Sequence, residues 1–296
     1  MKRISFGMLS LMLIALKSAI LGVVQGITEF LPISSSGHLI LASRLFGWHD
    51  KWLPGATTSG TNTTALAFSV ALHMGTLLAL LIYFNREWIV LIKGFFTGFA
   101  SRPSAWDSDQ KLAWLIVLAT IPAALVGALA GDTIEGHLST PFWVAITLIL
   151  VTFVMMAAQH FGSKSRDMES ISGRDAGFTG VAQVFALAPG VSRSGITISG
   201  GLFSGLDFES AARFAFLIAA PILLGAGILE GYKVAKDGLP PHFAQIFLPG
   251  FITAAVVGTL TVKYFLQYLR KGNFTPFIIY RFVVGAAVLI VLAIQH

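Results

Sequence analysis

The sequence predicts an all-α polytopic membrane protein that forms a single integral membrane domain over residues 1–296. Apolar residues make up 55% of the chain and charged residues only 11%, whereas a soluble domain carries about 25% charged residues. Several apolar runs are close to the roughly 20 residues that a helix needs to cross a bilayer. These runs cover residues 8–24, 65–84, 112–130, 142–158, 211–229, 246–266 and 276–294.

Charge and cysteine content exclude some classes of function. A net charge of +6 would suggest a nucleic-acid partner in a soluble protein, but here the basic residues cluster in loops, where they orient a membrane protein. No nucleic-acid partner is therefore predicted. The chain contains no cysteine, which excludes disulfides and thiolate metal sites. The N-terminal stretch MKRISFGMLSLMLIAL is similar to a signal peptide but lacks a small-x-small cleavage site, so we expect it to be retained.

The segment QGITEFLPISSSGHL, residues 25–39, interrupts the first apolar region. It carries Glu29 and His38 at membrane depth, and Pro32 breaks a helix there. Non-helical backbone is tolerated in a membrane only where it is buried in protein or lines a wet cavity. The segment therefore predicts a re-entrant helical hairpin.

An echo of this segment lies in the second half of the chain. GVVQGITEFLPISSSG, Gly22 to Gly37, and GVAQVFALAPGVSRSG, Gly180 to Gly195, share G-V-x-Q at the start and Ser-x-Ser-Gly at the end. Three long apolar runs follow each copy, so an odd number of crossings separates the two hairpins. This pattern predicts two inverted-topology repeats, about 17–160 and about 176–296, each a re-entrant helical hairpin plus three transmembrane helices.

Loop charge predicts which side each loop occupies. Ten Lys or Arg residues lie in loops 85–111, 161–175 and 263–274, but only three lie in loops 48–64, 131–140 and 231–245. Positive charge favours the cytoplasmic side, so Ser165 should be cytoplasmic and Thr58 external. The first hairpin should then open to the outside. Segment 88–96, WIVLIKGFF, is typical of an interfacial helix.

Polar side chains on the two hairpins predict phosphoryl chemistry on a molecule that reaches the membrane interior. Intramembrane ionisable residues are functional candidates because burying them is costly. Glu29 and His38 are a candidate general acid–base or metal pair, and the Arg193 guanidinium suits phosphate oxygens. The catalytic candidates are Glu29, Ser35, His38 and Arg193, with Glu29 also the metal candidate. The substrate-binding candidates are Gln25, Ser34, Ser192, Ser194 and Thr197.

Structural roles remain open for several of these residues. Glu29 could pair with Arg193 as a static bond between the repeats. Serines at these positions more often cap helices or permit close packing. His73 is expected to be a packed or hydrogen-bonded side chain rather than a ligand, and Arg213 and Arg281 are expected to anchor their helices at the membrane interface.

Two motifs resemble the undecaprenyl-diphosphatase family, the bacterial bacitracin-resistance phosphatases. GVVQGITEFLPISSSGH resembles the family's [E/Q]-x-x-x-E segment, and PGVSRSGIT, residues 189–197, resembles its P-G-x-S-R-S-x-x-T segment. AARFAFLIAAPILLGA (211–226) and TPFIIYRFVVG (275–285) are also similar to family segments. Gln25 stands where some members have glutamate, so a role that needs charge at that position does not carry over.

The resemblance implies hydrolysis of undecaprenyl diphosphate to undecaprenyl phosphate and inorganic phosphate. This recycles the lipid carrier for peptidoglycan synthesis and confers bacitracin resistance. It further implies a divalent cation (magnesium or calcium), a multi-pass location in the bacterial cytoplasmic (inner) membrane and a site facing the periplasm or outside, with a homodimer as a candidate assembly. By motif position, the matching functional residues are Glu29, Ser35, His38, Ser192, Arg193 and Thr197.

Two questions stay open at this stage. Ser35 is the first candidate nucleophile, activated by Glu29 or His38, followed by His38 itself and then by a metal-bound water. The alternative function is a flippase or transporter for undecaprenyl phosphate, because inverted repeats with broken helices are also transporter architecture.

Overall fold

A computed structural model describes residues 8–48, 63–238 and 242–294. These residues form eleven α-helices and two short 3₁₀-helices, Pro103–Ala105 and Met168–Ser170. The α-helices are α1 Met8–Thr28, α2 Ser35–Leu45, α3 Thr63–Tyr83, α4 Asn85–Gly98, α5 Ser108–Leu138, α6 Pro141–Phe161, α7 Gly173–Phe185, α8 Arg193–Phe203, α9 Phe208–Asp237, α10 Phe243–Leu269 and α11 Thr275–Ile294. The all-α prediction is confirmed. Thr58 and nearly all of the loop 48–64 lie outside the described residues.

Seven of the described helices are long and apolar enough to cross a membrane, as expected for a multi-pass membrane protein. Six of them contain the apolar runs predicted after the two hairpin segments. The seventh is α1, which continues the N-terminal apolar run as far as Thr28 before the chain turns into α2. The segment predicted to be interfacial lies within α4.

Side-chain caps fix where several helices begin. Asp107 accepts a hydrogen bond from the Gln110 amide in a capping box at the start of α5, and Ser172 and Asp175 form a second capping box at the start of α7. Asp207 caps α9 by accepting from the Ser210 amide. Such caps satisfy backbone N–H groups that have no partner within the helix.

The loop that leads into α7 is held by Arg166. Its guanidinium donates to both carboxylate oxygens of Asp175, with Nη2 2.7 Å from Oδ2, and to the Ser204 carbonyl. Burial alone would raise the pKa of Asp175, but the hydrogen bonds from Arg166 and Ser172 outweigh it and hold that pKa below its ordinary value. The start of α7 and the end of α8 are thereby joined through one side chain.

Each copy of the echoed sequence begins within a helix that packs on a helix from the other half of the chain. α1 packs against α10, and α7 packs against α5. On α1, the Ser18 hydroxyl accepts from the Gly250 amide at 3.1 Å, and the Thr253 hydroxyl donates to the Ala19 carbonyl at 2.9 Å. Small residues allow such close approach of helices in a membrane.

Ion pairs between helix ends show which ends lie together. Arg270, just after α10, contacts Glu209 at the start of α9 with Nη2 to Oε1 at 3.1 Å. Lys233 near the end of α9 contacts Asp132 near the end of α5 at 3.2 Å. The end of α10 therefore lies beside the start of α9, and the ends of α5 and α9 lie together at another place.

We expect Gly22→Ala to destabilise the protein and Gly131→Ala not to destabilise it. A Cβ on Gly22 would overlap the Gly250 carbonyl of α10, whereas a Cβ on Gly131 of α5 would meet no atom within 4 Å. The first substitution should cost about 1–3 kcal/mol through overpacking. The second should be neutral or stabilising by up to about 1 kcal/mol through helix propensity. Thermal unfolding of the purified protein in detergent measures both, and an equal tolerance of the two substitutions would contradict the tight α1–α10 packing.

Candidate active site

Two turns of similar geometry carry the predicted site residues, one between α1 and α2 and the other between α7 and α8. Each turn ends in a serine with positive φ, +78° at Ser34 and +73° at Ser192. Each serine accepts a hydrogen bond from an amide three residues on, that of Gly37 at 3.4 Å or Gly195 at 3.2 Å. These two serines are thus helix caps, and a strained backbone outside glycine is most common at functional sites.

Glu29 is the centre of the network between the turns. Its Oε2 accepts hydrogen bonds from the Ser35 hydroxyl at 2.5 Å and from the Gln25 amide at 3.0 Å. Its Oε1 pairs with Nη2 of Arg193 from the other turn. The carboxylate is only 7% exposed. The structure therefore brings together four of the residues predicted from the sequence.

Two of the three guanidinium nitrogens of Arg193 form no hydrogen bond among the described residues. Its side chain is 15% exposed, and within the described part of the chain its guanidinium bonds only to Glu29, through Nη2. Nη1 and Nε are left to donate to another group, such as a phosphate oxygen. The Glu29–Arg193 pair, which the sequence left open as a static bond, is present, and the free donors give the arginine a second use.

Among the described residues, His38 forms no hydrogen bond with Glu29 or Ser35. Its Nδ1 lies 2.7 Å from the Ser34 carbonyl, which can only accept, so Nδ1 carries a proton. In the neutral ring Nε2 then accepts a hydrogen bond from the Tyr280 hydroxyl at 2.6 Å. The expected Glu29–His38 acid–base pair is not formed. Of these two candidate bases, only Glu29 accepts a hydrogen bond from Ser35.

The remaining predicted binding residues bond mainly to protein groups. The Thr197 hydroxyl is fully buried and donates to the Arg193 carbonyl at 2.7 Å. The Ser192 and Ser194 hydroxyls lie 3.2 Å apart, and the Ser194 hydroxyl donates to the Leu31 carbonyl of the other turn at 3.0 Å. All three residues are buried in this structure.

Three residues around the site make contacts that were not predicted from the sequence, although a hydrogen bond of His73 was expected. His73 on α3 directs Nε2 toward Glu29 Oε2 at 3.9 Å, while its Nδ1 bonds to the Ser69 carbonyl. Tyr280 holds His38. Arg281 is not an interfacial anchor: it is fully buried, and the prediction was wrong because its guanidinium bonds to the two turns. The available signal was that Arg281 lies within the apolar run 276–294 and not before its first residue.

The described residues offer little to a metal ion. They contain no group of three or more His, Asp or Glu side chains that could hold one. Both oxygens of Glu29 already accept hydrogen bonds or an ion pair from the protein. Magnesium takes six oxygen ligands and often binds through one or two carboxylates together with substrate phosphates. Glu29 fits such a role only if most ligands come from a bound molecule and water.

The arrangement suits nucleophilic attack on a phosphorus atom. A hydroxyl bonded to a buried carboxylate can lose its proton to that carboxylate. The Arg193 guanidinium and the N-termini of α2 and α8 can stabilise negative charge on phosphoryl oxygens. These groups converge from both turns, so the chemistry requires both halves of the chain.

Comparison with known proteins is consistent with this geometry. Residues 18–287 match the family described as "Bacitracin resistance protein BacA". The chain is 41% identical over 280 residues to the undecaprenyl-diphosphatase of Trichlorobacter lovleyi, covering 94% of this chain and 97% of that protein. It is 40% identical over 278 residues to that of Rubrobacter xylanophilus, covering 94% and 98%. It is 38% identical over 284 residues to that of Thermomicrobium roseum, covering 94% and 98%.

Proposed function

Because this chain belongs to the bacitracin resistance protein family, we propose that it is an undecaprenyl-diphosphatase. It hydrolyses undecaprenyl diphosphate to undecaprenyl phosphate and inorganic phosphate, which recycles the lipid carrier for peptidoglycan synthesis and confers resistance to bacitracin. The observation that carries the proposal is the placement of Glu29 between the Ser35 hydroxyl and the Arg193 guanidinium. The lipid tail stays in the bilayer while the diphosphate reaches the turns.

Ser35 is the nucleophile in this proposal. Its oxygen attacks the terminal phosphorus, its proton passes to Glu29 Oε2, and the bond to undecaprenyl phosphate breaks with the electron pair on the departing oxygen. Water then attacks the phosphoserine and keeps both its hydrogens on the released phosphate, while Glu29 returns its proton to the serine oxygen. The 2.5 Å Ser35–Glu29 hydrogen bond supports the first transfer.

The two other nucleophiles receive less support. A phosphohistidine at His38 would require Nε2 to leave Tyr280, because Nδ1 is already protonated and bonded to the Ser34 carbonyl. A metal-bound water would require a metal site that the described side chains do not form by themselves. The hydrogen bonds of the protein therefore favour Ser35.

The divalent cation, magnesium or calcium, belongs to the proposal through the family. We place its one protein contact at Glu29 and take its other ligands to be substrate oxygens and water, in keeping with the single carboxylate at the turns. When bound, the cation would neutralise part of the diphosphate charge. Gln25 would orient Glu29 beside it through the 3.0 Å hydrogen bond.

The architecture in this proposal is a single membrane domain of two inverted repeats, about 17–160 and about 176–296, each opening with a re-entrant hairpin. The matching φ angles at Ser34 and Ser192 support it. The packing between the two halves also supports it, because α1 packs on α10 and α7 packs on α5. The ion pair Arg270–Glu209 joins helix ends on the side that the loop charge predicts to be cytoplasmic. The ion pair Lys233–Asp132 joins helix ends on the side predicted to be external.

Location and assembly complete the proposal. Such a protein lies in the bacterial cytoplasmic (inner) membrane with its site open to the periplasm or outside, where polymer synthesis leaves the lipid diphosphate. A homodimer is the proposed assembly because a two-fold dimer is the commonest closed arrangement of identical chains. The second candidate function is a flippase for undecaprenyl phosphate, favoured by the broken helices that meet between the repeats.

Phosphate release in detergent micelles distinguishes the two functions. An enzyme hydrolyses undecaprenyl diphosphate there, whereas a transporter has no second compartment in a micelle. We expect release by the wild type, its loss with a chelator and its return with magnesium or calcium. Glu29→Gln should abolish most turnover, because the base is removed while the shape is kept. Glu209→Gln, in an exposed pair with Arg270, should be harmless, and near wild-type release by Glu29→Gln would make the carboxylate structural.

Ser35→Ala and His38→Ala distinguish the nucleophiles. Loss of the nucleophile should lower kcat by several orders of magnitude, while loss of a positioning residue should cost roughly 10²- to 10⁴-fold. A trapped phosphoenzyme that survives acid but not base indicates Ser35, and the reverse stability indicates His38. If neither substitution matters greatly, a metal-bound water becomes the leading candidate.

Cysteine labelling in intact cells measures the topology, since the chain has no native cysteine. Thr133 and Ser165 are both exposed, the first in the last two turns of α5 on the side predicted to be external and the second in a loop predicted to be cytoplasmic. An impermeant maleimide should label Thr133→Cys and Thr58→Cys but not Ser165→Cys. Labelling of Ser165→Cys alone would invert the topology, and labelling of all three would rule out inverted repeats.

A further inference from the structure

Arg281 of α11 is the largest side chain that is fully buried in the described residues. Its guanidinium joins both turns and α6 in one set of hydrogen bonds. Nε donates to the Thr152 hydroxyl at 3.0 Å, and Nη1 donates to the Pro32 carbonyl at 3.2 Å. Nη2 is shared among the carbonyls of Leu148 at 3.0 Å, Gly190 at 3.2 Å and Val191 at 3.2 Å.

No carboxylate balances this charge among the described residues. Arg166, Arg193, Arg213 and Arg270 each form a salt bridge. All partners of Arg281 are neutral carbonyl or hydroxyl oxygens. A guanidinium stays charged in proteins, and burying a charge without a counter-ion is unfavourable even when it is hydrogen-bonded.

The charges at the turns therefore do not cancel. Glu29 and Arg193 neutralise one another in an ion pair. Arg281 then leaves one uncompensated positive charge beside the turns. The carbonyls of Pro32, Gly190 and Val191 in the two turns accept hydrogen bonds from Arg281. These carbonyl oxygens therefore point toward Arg281 and not toward a ligand.

We propose that Arg281 is a positioning residue and that the anionic phosphate group of the ligand is its missing counter-ion. The planar fork fixes the two turns relative to one another, which sets the distance between Ser35 and Arg193. The charge makes the site favour an anion before any contact is formed. This inference rests on the proposed function, since it takes the ligand to be a phosphate or diphosphate group.

Thermal unfolding of the purified chain in detergent at pH 8 tests the proposal, with inorganic phosphate as the probe and sodium chloride at matched ionic strength as the reference. Phosphate should raise the unfolding temperature of the wild type in a saturable way. Arg281→Lys keeps the charge but not the fork, so its unfolding temperature should fall while the phosphate shift remains. Arg281→Gln should bind phosphate roughly tenfold more weakly, as expected for one charge in a partly buried site. Arg213→Gln, whose charge Glu87 balances at 2.9 Å, should respond to phosphate like the wild type.

A second pair of variants supplies the counter-ion instead of removing the charge. Thr152→Asp places a carboxylate beside Nε of Arg281, and Thr152→Asn is its neutral match. The aspartate variant should lose the phosphate shift and raise KM for the lipid diphosphate by roughly tenfold, while the asparagine variant keeps both near wild type. This comparison decides the question even if Arg281→Gln does not fold.

Several outcomes would overturn the proposal. These are an unshifted wild type, a full phosphate shift in Arg281→Gln, and a full shift in Thr152→Asp. A wild type that fails to release phosphate from the lipid while the shifts follow the expected order would refute the proposed function and leave the role of Arg281 intact. If the wild type hydrolyses the lipid normally while Arg281→Gln and Thr152→Asp bind phosphate as the wild type does, the role of Arg281 would be refuted and the proposed function would stand.

Discussion

The need to satisfy backbone polar groups away from water constrains this protein most. Two turns of non-helical backbone meet among helices that are apolar enough to span a membrane, and hydrocarbon offers no partner for a free carbonyl. Side chains from other helices supply the partners. Thr147 of α6 donates to the Pro189 carbonyl at 2.7 Å, Ser194 donates to the Leu31 carbonyl at 3.0 Å, and Arg281 donates to carbonyls of both turns. The polar groups that maintain the fold are thus neighbours of the groups assigned to catalysis.

This arrangement explains why one carboxylate can serve two purposes. Glu29 offsets the charge of Arg193 across the turns and accepts the Ser35 hydroxyl. A buried ion pair by itself contributes little net stability, because desolvation offsets much of the attraction. Its value here is positional: it holds the Glu29 carboxylate between the Ser35 hydroxyl and the Arg193 guanidinium. Structural and catalytic roles of Glu29 are therefore compatible, and only the change in turnover separates them.

Sequence patterns predicted the helices and much of the site, for physical reasons that also mark their limits. Apolar runs near the length of a membrane crossing locate helices well, and the capping serines are visible as a repeated Ser-x-Ser-Gly. The contact of Ser35 with Glu29 follows from their closeness in sequence. The roles of His73, Tyr280 and Arg281 depend on how distant helices pack, which hydrophobicity does not specify. Arg281 looked like an interfacial anchor because charges near the ends of apolar runs usually are, yet it lies at the junction of the turns.

The two copies of the echoed sequence carry different side chains at equivalent positions. When Gln25 is aligned with Gln183, Ser35 aligns with Arg193 and Glu29 with Leu187. The proposed nucleophile and its proposed base thus occur in one half, and the arginine proposed to bind phosphate stands at the position of Ser35 in the other. Leucine in place of glutamate also leaves the buried Gln183 amide with no hydrogen-bond partner among the described residues, whereas Gln25 bonds to Glu29. Two equivalent turns with a carboxylate each would repel one another, and two with an arginine each would lack a base. Divergence of the two turns therefore gives the site its opposite charges, and neither half could perform the reaction alone.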